Sequence, residues 1–182
     1  MKKLMDIKGY WDFAGNYSFN DRNMWEGKIL LDDNGWFEGI ANDPNSIYTG
    51  DRFIFGIYHP EKIISLIKVS PEEISSPFVF RGKRDAKGYD GQLSVIRLFG
   101  EMECGVCHII TQYAESTKDN QRNIEKEIED LLQRISAVKE TSDYKELYDN
   151  TFKSKELFSE IELRNYDTKR LSKNVYSIKK NK

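Results

Sequence analysis

Long apolar runs are missing from this chain, and cysteine and histidine are scarce, at two each in 182 residues. Two cysteines, Cys104 and Cys107, cannot build a disulfide framework. No stretch approaches the roughly 18 apolar residues that a membrane span needs. The opening Met-Lys-Lys-Leu-Met-Asp has two lysines with no apolar run behind them, so no ordinary signal peptide is expected. Reducing cytoplasm is the expected compartment, with no membrane partner. Charge of one sign is also missing from one segment. Lys169, Arg170, Lys173, Lys179, Lys180 and Lys182 form a tail with no acid, so that of the net −2 this +6 leaves −8 on residues 1–168. An acidic body does not attract a phosphate backbone, and nucleic-acid binding would fall to that basic tail, 169–182.

Aromatic residues are abundant, at 13%, and crowd into the first 113 residues, as a β-rich domain with an aromatic core requires. Turn signals cut that region into eight strand candidates: Lys8–Phe19, Trp25–Leu31, Trp36–Asn42, Arg52–Tyr58, Lys62–Ser70, Phe78–Lys83, Tyr89–Phe99 and Met102–Tyr113. Asp33-Asn34-Gly35 is a tight-turn signature. Alternation favours strands: Trp11, Phe13, Tyr17 and Phe19 share one face, and Trp25, Gly27, Ile29 and Leu31 another. The expected class is mainly β, an eight-stranded antiparallel up-and-down barrel over residues 1–115, with a flat sandwich as the competing architecture. Residues 116–182 form a C-terminal helical extension, α+β overall. Ile124, Ile128, Leu131, Ile135 and Val138 recur at helical spacing, predicting a helix over 119–140 whose stripe packs on a second helix and part of the barrel exterior, with a dimer through the remaining surface. That second helix is expected to begin near Tyr144.

Gly9-Tyr10-Trp11 near the start of this β-rich region resembles the Gly-x-Trp opening of lipocalins. The run from Gly27 through Asp33-Asn34-Gly35 to Gly39 is similar to the hairpins of calycin-type barrels, the group of lipocalin-like and streptavidin-like folds. The resemblance spans residues 9–113. It implies an eight-stranded meander with room for a small ligand at one end, and carries over no particular ligand.

Chemistry-bearing motifs are few. Cys104-Gly105-Val106-Cys107-His108 matches the haem-attachment pattern, but residues three apart on a strand point to opposite faces. With His59 the same residues would make up a Cys₂His₂ zinc set, yet nothing in their spacing brings the two regions together. No cofactor, metal ion or catalytic residue is assigned, and no nucleophile elbow or phosphate loop occurs. The candidate ligand-binding residues are therefore aromatic: Trp11, Phe13, Tyr17, Trp36, Phe53 and Phe55. Trp11 is expected to lie buried near a closed end. Eight strands leave an interior just wide enough for packed side chains or for one small ligand. Two function classes stay open. One is a non-catalytic barrel binding a small apolar or aromatic ligand. The other is an interaction or oligomerisation module built on the C-terminal helices, with a homo-oligomer as partner.

Overall fold

The computed structural model describes residues 2–47, 50–70, 77–97, 100–114, 120–141 and Tyr144. Eight strands follow one another: β1 (Lys3–Asp12), β2 (Met24–Leu31), β3 (Trp36–Asn42), β4 (Arg52–Tyr58), β5 (Ile63–Val69), β6 (Phe78–Arg84), β7 (Tyr89–Arg97) and β8 (Gly100–Tyr113). Each pairs antiparallel with the next, and β1 pairs also with β8. The meander is a closed barrel rather than an open sandwich. The helix α1 (Gln121–Lys139) follows it among the described residues. Among the described residues no helix is long and apolar enough to cross a membrane. The second helix, except for Tyr144 itself, and the basic tail 169–182 lie outside the described residues.

The first strand differs from the sequence expectation. It covers Lys3–Asp12 and stops before Phe13, whereas the alternating aromatics predict Lys8–Phe19. Local side-chain bonds end it. Asp12, Asn16 and Asn20 each accept the backbone N–H two residues on, at Ala14, Ser18 and Arg22. Gly15 turns with φ at +74°, a conformation open to glycine at little cost. Asx turns repeated through 12–22 compete with a ladder and win.

Inside the barrel, alternate residues from all eight strands meet: Met5 and Ile7, Ile29 and Leu31, Phe37, Ile54 and Tyr58, Leu66, Phe80, Tyr89 and Leu93, Cys107 and Ile109. Inward glycines let the strands bend hard. A Cβ on Gly91 would lie 1.7 Å from the Arg81 carbonyl oxygen, so no larger residue fits there. The links at one end, 32–35, 59–62 and 85–88, are four-residue turns. Asp32 tightens the first by accepting the N–H groups of Asn34 and Trp36, both at 2.9 Å. Tyr89 closes this end from within, donating its hydroxyl to the Pro60 carbonyl at 3.0 Å. At the other end three links, 13–23, 43–51 and 70–77, are longer, and the fourth, 98–99, has two residues.

The outer wall carries a second apolar cluster. Leu30, Ile40, Phe53, Phe55 and Ile57 meet Leu131 and Ile135 of α1 there, with Ile124, Ile128 and Val138 packed around them. The predicted stripe thus faces the barrel. Leu131 and Ile135 are 2% and 4% exposed, and burying each contributes about 1.5–3 kcal/mol before chain entropy. Ion pairs orient the helix across two strands and the residue before β4: Glu127 with Lys28 at 2.9 Å, Lys139 with Glu38 at 2.5 Å, and Arg134 Nε with Asp51 at 2.9 Å. Such surface pairs fix direction more than they add stability.

Candidate functional site at the open end

Lys68 stands near the end of β5 on the inward face, in register with Ile54 of β4. Arg52 opens β4 on the same face. They are 4% and 3% exposed, which is rare for cations unless they are paired. The pairing comes from Asp43, the first residue after β3. Lys68 Nζ donates to both of its carboxylate oxygens, at 2.7 and 2.8 Å, and Arg52 Nε lies 3.0 Å from Oδ2. Arg52 also donates to the Gly50 carbonyl and to Ser46 Oγ. Asp43 and Ser46 are thereby tied to the barrel rim, Asp43 through both Lys68 and Arg52 and Ser46 through the Arg52 guanidinium. Lys68 Nζ further sits 5.3 Å from the Trp11 ring centre and 5.9 Å from that of Trp25, within cation–π range.

Beside this charged group lies a cavity of about 270 Å³. Its apolar walls are Trp11, Phe13, Phe78, Phe80 and Leu93; its polar ones are Asp43, Ser46, Arg52, Lys68 and Ser70. Phe13 and Phe78 face each other with ring centres 6.3 Å apart. The volume falls just below that of ligand sites, which run from about 300 Å³ upward. A larger groove of about 480 Å³ runs between α1 and the outer face of β1 and β2, but its charged side chains are paired, Lys28 with Asp6 and Lys8 with Glu26. A shallow polar hollow of about 560 Å³ at Asn20, Asp21, Arg22 and Asn45 is larger still. The mouth is the better site because its buried charges and aromatic walls converge on an interior space.

Of the six aromatic candidates, Trp11 and Phe13 line this mouth. Trp11 is half-buried and stands at the open end, not deep at a closed one. Tyr17 is 54% exposed on the 13–23 link, edge-on to Phe19. Trp36, Phe53 and Phe55 face outward beneath α1, and Phe53 meets the Tyr144 ring at 4.8 Å. Those four line no part of the mouth. Conversely, Asp43, Arg52, Lys68 and Phe80 carry the site without having been singled out. A signal for two of them was present: Arg52 and Lys68 are charges bordering or interrupting otherwise apolar runs, Phe-Ile-Phe-Gly-Ile-Tyr and Ile-Ile-Ser-Leu-Ile-Lys-Val.

The Cys-x-x-Cys-His motif does not converge. Cys107 points inward and donates to the Gln92 carbonyl at 3.3 Å. Cys104 sits at a register shift opposite Leu93 and Ser94 and donates to the Leu93 carbonyl at 3.6 Å. Both thiols are free, and burial pushes both up, away from the reactive thiolate. His108 faces out, bonded through Nδ1 to Asp90. With Asp85 these two form a cluster whose donor atoms lie within 4.8 Å of one another, a set that could hold a divalent ion. Its bonds serve the 85–88 turn: Asp85 accepts the N–H groups of Lys87 and Gly88 at 2.7 Å each.

Comparison with protein families, with characterised proteins and with solved structures finds no match, so the chemistry of the mouth rests on its own geometry.

Proposed function

We propose that this protein is a non-catalytic barrel that takes a small aromatic or apolar molecule into its open mouth. One observation carries the proposal: the cavity of about 270 Å³ between Trp11, Phe13, Phe78 and Phe80, with buried polar groups at its side. Flat rings offer stacking surface, and a few placed polar groups fix orientation, the usual anatomy of a ligand pocket. The described lining residues include serines but neither histidine nor cysteine, which favours binding over nucleophilic chemistry. The closed eight-stranded meander, open at one end, supports the calycin-like resemblance and the small-ligand role it implies. The interaction-module reading has less to stand on, because Leu131 and Ile135 of the α1 stripe are buried on the barrel wall and Ile124, Ile128 and Val138 are partly covered there.

The test uses N-phenyl-1-naphthylamine, a neutral dye that fluoresces in apolar surroundings. Saturable binding of one dye per chain, with quenching of tryptophan emission, is expected. Ser70→Phe, which puts a ring into the mouth, should abolish binding while leaving thermal unfolding near that of the parent. Absence of saturable binding, or indifference to Ser70→Phe, would overturn the proposal.

A further inference from the structure

We infer that Asp85, Asp90 and His108 form a binding site for a zinc ion, or a divalent transition ion of the same class, on the outside of the barrel's closed end. The site is separate from the mouth and does not depend on the role proposed for it.

The donors come from three elements. Asp85 opens the 85–88 turn, Asp90 stands on β7 and His108 on β8, and the register of those two strands sets Asp90 and His108 directly opposite each other. Their chain neighbours Tyr89 and Cys107 fill the barrel, so alternation turns both side chains outward. One imidazole and two carboxylates thus gather with donor atoms within 4.8 Å of one another, and among the described residues no other such group of three is found. Ligand atoms bound at about 2.0–2.2 Å from zinc stand roughly 3–4 Å apart, the scale on which these three are already gathered. The imidazole decides the class of ion. Zinc and its neighbours take nitrogen readily, whereas calcium and magnesium prefer oxygen alone.

The imidazole is fixed in the way a ligand must be. Phe19 of the 13–23 link stacks on it with ring centres 5.6 Å apart, and Tyr10, its partner in register on β1, stands at 6.4 Å. The side chain is consequently only 13% exposed although it faces outward. Gly88 leaves the ring its place, since a Cβ there would lie 3.1 Å from both Cε1 and Nε2. Nδ1 is the edge turned toward Asp90. Asp85 is oriented by the turn that it opens, because Oδ1 accepts the N–H groups of Lys87 and Gly88 at 2.7 Å each. Bonds of this kind, made from outside the coordination sphere, are what aim a ligating carboxylate. The cysteines of the Cys-x-x-Cys-His run take no part, since both donate to backbone carbonyls of β7. An ion held here would join the 85–88 turn to β7 and β8, and binding to the folded chain alone raises its stability.

The test uses the untagged full chain after treatment with a chelator. Calorimetric titration with zinc chloride should saturate at one ion per chain and raise the thermal midpoint, without competition from magnesium at the same concentration. The chain has two histidines, so nitrogen-15 NMR of the imidazoles reads the site directly. The His108 signals should shift with zinc while those of His59 stay. His108→Gln and Asp85→Asn, each shown to be folded by circular dichroism, should weaken binding about tenfold or more, no less than loss of an outer-shell partner does. Cys104→Ser should bind as the parent does. Neither ligand variant touches the mouth, so a failed zinc titration leaves the dye result as it stands. The inference is overturned if zinc does not saturate at one per chain, if His59 moves in place of His108, or if magnesium displaces the ion. Binding that survives both ligand variants unchanged, or is lost in Cys104→Ser, overturns it equally.

Discussion

The two ends of the barrel are built from the same eight strands and solve the problem of closure in opposite ways. At one end, four-residue turns hold neighbouring strands together, and the interior is stoppered by tyrosines. Tyr58 and Tyr89 meet with ring centres 5.9 Å apart, and the Tyr89 hydroxyl reaches the carbonyls of the 59–62 turn. The charges of that end, Asp85 and Asp90, stand on the outside. At the other end the 43–51 link is long enough for Asp43 to fold inward, and the charges of Asp43, Arg52 and Lys68 stand on the inside, beside a cavity. Link length thus decides where charge can go. A tight turn spends its aspartate on its own N–H groups, whereas a long link can carry one back into the mouth.

The contrast predicts unequal tolerance to truncation. Phe37→Ala, at a site 2% exposed within the barrel core, should cost about 3–5 kcal/mol. Trp11→Ala, at the half-buried mouth, should cost about 1–2 kcal/mol despite removing a larger side chain, because much of that surface is already wet. Urea midpoints of the two variants measure the difference directly. Equal losses would mean that the mouth is as much a packed core as the closed end.

A second substitution asks whether the outer wall is part of the same cooperative unit. Ile135→Ala should cost about 2–4 kcal/mol, since Ile135 is 4% exposed between α1 and β-strand side chains. Hydrogen exchange should show α1 losing protection before the strands do. Loss of protection in all strands at once would make helix and barrel a single folding unit, and an unchanged midpoint would mean that the helix contributes nothing to the wall.

What was legible in the sequence follows the same inside–outside division. β2 and β3 carry one buried face and one partly wet one, and their ends agree with the turn signals within one residue. β4 and β5 are buried on both faces along their whole length. Their sequences therefore read as continuous apolar runs, and period two disappears. Without that period, nothing says which residues of Phe53-Ile54-Phe55 look inward, and a slip of one residue moves every side chain to the other face. Phe53 and Phe55 were accordingly expected inside and stand outside. The mouth was hidden for a related reason. Asp43, Arg52 and Lys68 come from three separate segments, and only the closed register of β3, β4 and β5 brings them together. The helix, by contrast, displays its stripe in one short segment and was readable to within two residues at each end.

The smallest expected effect concerns the outward charges of the closed end. Burial, and then its bond to Asp85, push the Asp90 carboxyl above its ordinary value, with His108 pulling the other way. Asp85 is held down at about 2, first by the bond from Asp90 and then, against the effect of burial, by the N–H groups of Lys87 and Gly88. The two carboxyls therefore act on stability in opposite directions. The depressed Asp85 supports the fold above the ordinary carboxylate range and loses that contribution as pH falls toward 2. Asp90, raised in the folded state, contributes most below the ordinary range and loses that contribution as pH rises through its folded value. Asp90→Asn keeps a donor for Asp85 and an acceptor for His108 but has no proton to lose. Its stability relative to the parent should improve between pH 3 and pH 6, by less than either core truncation because the pair is largely in water. Urea midpoints at unit steps of pH would trace the difference. A constant offset across that range would mean that the two carboxyls do not share a proton, and that charge outside the closed end is as indifferent to its neighbours as an ordinary surface group.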